Sequence, residues 1–163
     1  MFAINYQNMG DRVKTFVEQK LVDLETGCRE RGLSMTVQRR AILENLASRK
    51  DHPTADQIYG AIKDQLRGVS RTTVYRVLEA FVQLGIAQKI CYPDAKARFD
   101  ADIRRHHHAI CLECEKVMDV SDARLNDIPV PQNGLAGFDV LDYSISFLGV
   151  CQECRSAAGQ PTT

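Results

Sequence analysis

The chain has no apolar run approaching the roughly 20 residues that a membrane-spanning helix needs, and no internal repeat or low-complexity tract. Met1 to Gly10 lack the basic patch followed by an apolar stretch that marks a secretory signal. Net charge is missing too: 21 Lys and Arg balance 21 Asp and Glu among 163 residues. The first absences argue against a membrane or exported protein, so the expected location is the cytoplasm. Thiols stay reduced there, and six cysteines then point to metal or redox chemistry rather than to a disulfide framework. What is present is ordinary for a folded soluble protein, with 44% hydrophobic and 26% charged residues. At this length the chain makes one domain or two small ones.

The zero net charge hides a gradient. Residues 1–92 carry 14 Lys and Arg against 10 Asp and Glu, while residues 93–163 carry 7 against 11. A basic half joined to an acidic half fits a nucleic-acid-facing domain fused to one with another task, although a difference of this size also arises by chance.

Hydrophobic spacing predicts four helices in the first half. Val13, Val17, Leu21 and Leu24 lie at helical intervals between Asp11 and Arg31, and Gly32 stops that run. Thr36 can cap a second helix burying Ile42, Leu43 and Leu46, and Thr54 opens a third with Ile58, Tyr59, Ile62 and Leu66. Ser70 or Thr72 caps a fourth, Thr73 to Leu84, ended by Gly85. The period then changes to that of strands at Ile86–Tyr92 and Ala97–Asp100, around the turn Pro93-Asp94-Ala95-Lys96. Helices running into a hairpin describe a winged helix-turn-helix; a small α+β domain without DNA affinity is the alternative. The second half is β-rich at His107–Cys111, Val117–Val120 and Phe138–Gly149. Pro129, Pro131 and Gly134 allow only a short or broken helix between Asp122 and Leu135. The expected fold class is therefore α+β: a winged-helix DNA-binding domain over 1–92, led by an extension over 1–15, then a small α/β dimerisation and metal-binding domain over 97–163.

Cys111-Leu112-Glu113-Cys114 and Cys151-Gln152-Glu153-Cys154 are two CxxC pairs. Two residues between thiolates suit a tight knuckle, and two knuckles supply the four soft ligands of a structural tetrahedral Zn2+, at about 2.3 Å each. Four protein ligands close the coordination sphere, so this ion would staple the domain rather than bind substrate. Unlinked thiols or a redox pair are the competing reading. Cys28 and Cys91 have no partner nearby in sequence and read as half-buried thiols.

The histidines are His52 and the run His106-His107-His108. On a strand, 106 and 108 share a face and 107 points away. With Asp94 from the wing turn and Asp119 from the next strand, His106 and His108 can hold a second metal. Mixed nitrogen and oxygen donors suit Fe2+, Mn2+ or Zn2+. A histidine triplet can equally stand in solvent. If His52 joins, ligands come from both halves, and the ion could set the angle between them.

Taken together, Leu33-Ser34-Met35-Thr36-Val37-Gln38-Arg39-Arg40, His52-Pro53-Thr54-Ala55-Asp56-Gln57-Ile58-Tyr59, Thr73-Val74-Tyr75-Arg76-Val77-Leu78, Arg98-Phe99-Asp100, His106 through Cys114, and Gly149 through Cys154 resemble the ferric uptake regulator (Fur) superfamily. They are most similar to its peroxide-responsive PerR branch. The resemblance covers roughly residues 28–155. It implies a metal-dependent repressor and not an enzyme: a homodimer that binds palindromic double-stranded DNA, with structural Zn2+ on the four cysteines and regulatory Fe2+ or Mn2+ (or Zn2+) on His52, Asp94, His106, His108 and Asp119. Aspartate rather than glutamate at 94 resembles the peroxide-sensing branch, in which bound Fe2+ reacts with H2O2 and a ligand histidine is modified. The matching positions are His52 and His106.

The resemblance also implies DNA contacts. Tyr75 and Arg76 lie in the recognition helix, where an aromatic can meet a thymine methyl and Arg a guanine or phosphate. Arg71 and Thr72 sit at that helix's start, suited to phosphate, and Arg39 resembles a backbone contact. A histidine in the last strand, used by some relatives for a third metal, has no counterpart in Asp139–Ser144. Rival functions are an iron- or zinc-availability sensor on the same scaffold and, from another class, a zinc-dependent enzyme or thiol oxidoreductase. The last would need an open metal position or labile zinc, and the sequence supplies no substrate-shaped motif.

Overall fold

The computed structural model describes residues 6–92, 95–129, 135 and 137–158, with side chains from 12 onward. Pro131, Gly134 and Asp94 lie outside the described residues. The chain divides into two compact units, Met1–Ile103 and Arg104–Thr163.

In the first unit α1 (Tyr6–Glu30) is followed by α2 (Val37–Ala47), α3 (Ala55–Ile62) and α4 (Arg71–Gln83). The expected caps form. Thr36 accepts the Arg39 N–H, and Ser70 accepts that of Thr73 at 3.1 Å. Thr54 makes a reciprocal box: its hydroxyl accepts from Gln57 N, and its own N–H donates to Gln57 Oε1 at 2.8 Å. Each such cap satisfies a donor that the first turn leaves orphaned and stabilises its helix by about 1 kcal/mol. α1 starts at Tyr6, earlier than the spacing predicts, so helix reaches into the 1–15 extension. α4 ends where Gly85 adopts φ +68° and the Ile86 N–H turns back to Phe81 O, a left-handed stop that favours glycine.

The apolar faces of these helices converge on Leu24, Ile42, Leu43, Leu46, Ile58, Val74, Leu78 and Phe81. β1 (Gln88–Ile90) and β2 (Arg98–Asp100) form an antiparallel hairpin in which Lys89 opposes Phe99. Phe99 is fully buried in the same core. That packing ties β2 to the first unit, which runs to Ile103. Helices closed by a hairpin make the expected winged helix-turn-helix.

The second unit is a three-stranded sheet ordered β4-β3-β5, with β3 His107–Cys111, β4 Val117–Val120 and β5 Ser146–Gly149. β4 is antiparallel to β3, and β5 is parallel to it. α5 (Gln152–Ala157) follows. Between β4 and β5 the described helical structure is one 3-10 turn, Ala123–Leu125, capped by Asp122. Phe138–Gly149 is far less regular than its alternation predicts. Ile145 gives its N–H to His107 Nδ1 and Tyr143 gives its own to Asp142 Oδ1, so side chains occupy the donors a longer ladder would need. Regular pairing with β3 starts only at Ser146.

Candidate metal centres and DNA-facing surface

β3 ends at Cys111, and a tight turn returns the chain to β4: the Glu115 N–H bonds Cys111 O, and the Cys111 N–H bonds Lys116 O, both at 2.9 Å. Glu115 takes φ +58° to close this turn. The turn carries Cys114 beside Cys111, while α5 presents Cys151 at its N-cap and Cys154 within its first turn. The Cys111 and Cys154 sulfurs are 3.9 Å apart and those of Cys114 and Cys151 3.8 Å, and all four lie within 4.8 Å of one another. A regular tetrahedron with bonds of about 2.3 Å has edges of about 3.8 Å. The two pairs that face each other match that edge, so the cluster is consistent with a Zn2+ site.

The cage favours thiolate at Cys111. The Cys151 N–H points at Cys111 Sγ at 3.3 Å. With the Cys114 N–H it brings the Cys111 thiol down to about 6, against a smaller opposing effect of burial. Cys154 is pushed upward, first by the neighbouring thiols of Cys151 and Cys114, because four such groups cannot all ionise without a cation among them. Cys28 is buried and Cys91 exposed, both as free thiols.

The nitrogen and oxygen donors occupy both units. In the first unit His52 is 3% exposed and takes the left-handed φ of +48°, which is uncommon outside glycine. Its Nε2 is 3.5 Å from Asp100 Oδ2, and its carbonyl accepts from Arg98 Nη1 at 3.0 Å. Burial alone would raise the Asp100 carboxyl. Hydrogen bonds from His52, the Asp102 N–H and the Gln88 amide outweigh it and bring the group to about 2. Asp100 was not among the residues singled out from the sequence. The signal was there: Arg98 and Asp100 flank buried Phe99 on a strand, so both face the same side.

In the second unit His108 pairs across the sheet with Asp119, and His106 Nε2 is 3.6 Å from Asp119 Oδ1. The His106 and His108 rings meet edge to face at 4.6 Å. His106 Nδ1 is 2.7 Å from Arg104 O; a proton there puts the lone pair on Nε2, the form a metal binds. His107 points to the other face, as the strand period requires. Fully buried, it donates from Nε2 to Leu125 O at 3.1 Å and accepts the Ile145 N–H at Nδ1. Imidazoles and carboxylates are the donors that hard and borderline divalent ions prefer.

On α4, Val74 and Leu78 face the core, while Arg71, Thr72, Tyr75 and Arg76 are exposed. Tyr75 is 46% exposed, and Lys89 of β1 fixes its ring. Lys89 Nζ lies 5.5 Å over the ring, reaches its hydroxyl at 3.4 Å and bonds Glu79 Oε1 at 2.6 Å. Arg39 of α2 is half-buried and donates to Ser34 O. A cavity of about 570 Å3 opens between the starts of α3 and α4 and the wing, lined among others by Asp56, Arg71, Thr72, Tyr75 and Lys96.

A winged helix with exposed cations on its recognition helix, joined to a unit carrying a thiol cage and imidazole–carboxylate donors, defines a metal-responsive DNA-binding regulator. The chain belongs to the ferric uptake regulator family, whose model matches residues 30–148. Members of that family are transcription regulators rather than enzymes, and they bind DNA as dimers. The peroxide-responsive repressor PerR of Staphylococcus aureus (strain Mu50) is 36% identical over 139 residues, covering 85% of this chain and 94% of its own. The ferric uptake regulator Fur of Helicobacter pylori, a structure described as having three functional metal-binding sites, shares the fold at a TM-score of 0.71. It is 22% identical and covers 85% of this chain and 93% of its own. The ferric uptake regulator of Francisella tularensis, solved with iron, gives a TM-score of 0.62 at 25% identity, covering 76% of this chain and 96% of its own. No helix among the described residues is long and apolar enough to cross a membrane.

Proposed function

We propose that the chain is a cytoplasmic repressor that senses peroxide through iron-bound histidines. His52, Asp94, His106, His108 and Asp119 are the ligands of a regulatory ion, Fe2+ or Mn2+, and Asp100, hydrogen-bonded to His52, is a further carboxylate donor beside it. Cys111, Cys114, Cys151 and Cys154 hold structural Zn2+. The observation that carries the reading is the donor chemistry of the second set: neutral imidazoles and carboxylates that can hold a reactive ferrous ion. The 36% identity to a repressor that responds to peroxide supports it.

Bound Fe2+ supplies the reducing equivalent that activates H2O2 beside its ligands. His52 and His106 are the imidazoles that take up oxygen, and an oxidised ring loses the lone pair that made it a donor. Losing one donor weakens the hold on the ion, and with it the metal-loaded, DNA-binding form of the chain. Tyr75 and Arg76 then leave the major groove, and Arg71, Thr72 and Arg39 leave the phosphates. One recognition helix reads few bases, so the dimer takes a palindromic operator.

The test is mass spectrometry of the iron-loaded protein after stoichiometric H2O2, with a DNA-shift assay in parallel. One added oxygen on His52 or His106, with loss of DNA binding, is the expected result. Unmodified histidines with DNA still bound would reject peroxide sensing. If a chelator nevertheless releases the DNA, the chain is instead a sensor of metal availability.

A further inference from the structure

The basic face of the recognition helix has an acid among its cations. Asp56, in the first turn of α3, sets Oδ1 3.6 Å from Arg71 Nε and Oδ2 3.6 Å from Lys96 Nζ. One carboxylate thus bridges a cation at the start of α4 and another in the wing. The Arg71 guanidinium also lies 5.5 Å over the Tyr59 ring. Tyr59 and Asp56 are three residues apart on the same face of α3, so this helix holds Arg71 twice. The side chains of Asp56, Arg71 and Lys96 are 51%, 74% and 72% exposed. Ion pairs this wet do little for folding, and stability does not account for the arrangement.

A carboxylate bridging two cations has the charge sign and the spread of acceptor oxygens of a DNA phosphate. We propose that Asp56 stands in for one. In the DNA-free chain it neutralises Arg71 and Lys96, and in the complex its charge opposes the duplex backbone. Every phosphate looks alike to this cluster, so the effect is a lower affinity for any duplex, whatever its sequence. Asp56 thereby limits the time spent on random DNA and leaves discrimination to the groups that reach base edges. The inference rests on the reading that the exposed face of α4 meets DNA.

The test uses the full chain loaded with Mn2+ and a random-sequence duplex, followed by fluorescence anisotropy over a series of NaCl concentrations. Asp56→Asn should tighten binding roughly three- to tenfold at low salt and steepen the slope of log affinity against log salt by about one. Asp56→Glu should behave as the parent does. In an Arg71→Ala background the gain from Asp56→Asn should shrink. Asp56 also lies at the positive end of α3, and losing that charge weakens the helix. A weaker helix loosens DNA, so tightening cannot come from that source. Unchanged or weaker binding by Asp56→Asn, with Arg71→Ala still lowering the slope, would overturn the proposal alone. An Arg71→Ala variant with unaltered affinity and slope would overturn it together with the reading of the α4 face.

Discussion

Removing one thiolate from the cysteine cage should unfold the second unit and spare the first. Among the described residues its buried aliphatic side chains are few: Ile110 and Val117, at 5% and 3% exposure. Each stabilises by about 1.5–3 kcal/mol, so together they provide about 3–6 kcal/mol. Fixing each residue's backbone costs about 1–2 kcal/mol, which two such side chains cannot offset for a unit of this length. A four-thiolate zinc site contributes about 10–16 kcal/mol at neutral pH. On the reading that Zn2+ fills the cage, the ion decides whether the sheet forms. Cys151→Ser is the cleanest perturbation. Position 151 is the N-cap of α5 and makes no side-chain capping bond. Serine caps at least as well, so any destabilisation comes from the missing ligand. The assay is zinc content per chain together with hydrogen exchange of the β3 and β4 amides. Their protection should fall to nearly that of open chain, while that of α2, α3 and α4 persists. Zinc-free protein in which Ala109, Ile110 and Cys111 stay protected would refute the reasoning.

Asp100→Asn should lower affinity for the regulatory metal at least tenfold, read by Mn2+ titration. In metal-free protein, a carboxyl depressed to about 2 contributes stability that is complete above its usual value near 3.9. That stability is lost as pH falls from about 4 to about 2, and its size is at most about 2.6 kcal/mol. Urea unfolding of Asp100→Asn should be flatter across that window, and a parallel dependence in both proteins would count against the hydrogen bonds assigned to this group. Phe81→Ala, at a fully buried position, should cost about 3–5 kcal/mol in urea unfolding; a loss below 1 kcal/mol would mean the core collapses around the gap. Arg76→Ala should either weaken operator binding by about 1–3 kcal/mol at one base position or reduce the salt slope by about one. No change in either places Arg76 outside the interface.

The parts of the fold that were legible in the sequence are those decided locally. Thr36, Thr54 and Ser70 announce their helices because a cap acts within three residues. The two CxxC pairs announce a knuckle because their spacing alone brings the sulfurs together. Asp100 was hidden because its partnership with His52 needs a distant segment laid alongside β2, where Phe99 N donates to Pro53 O and Arg98 bonds the His52 carbonyl. Asp94, in the turn expected from Pro93-Asp94-Ala95-Lys96, looked the more available carboxylate. β5 was over-read for a related reason. The alternation through Asp142–Phe147 is real, yet the His107 ring takes the Ile145 N–H, and no periodicity reveals a side chain from another strand in a backbone position. Phe99 likewise looks like one strand residue among several until it is seen in the helical core.

His52 pays a conformational penalty for its place. Its backbone at φ +48° is one that glycine adopts without cost and histidine does not. A population of variants selected only for surviving heat should therefore drift to glycine at this position, and on the proposed reading the hardier survivors would no longer answer to their signal. Sensitivity and toughness compete at a single torsion angle, and the imidazole is retained only while something rewards the listening.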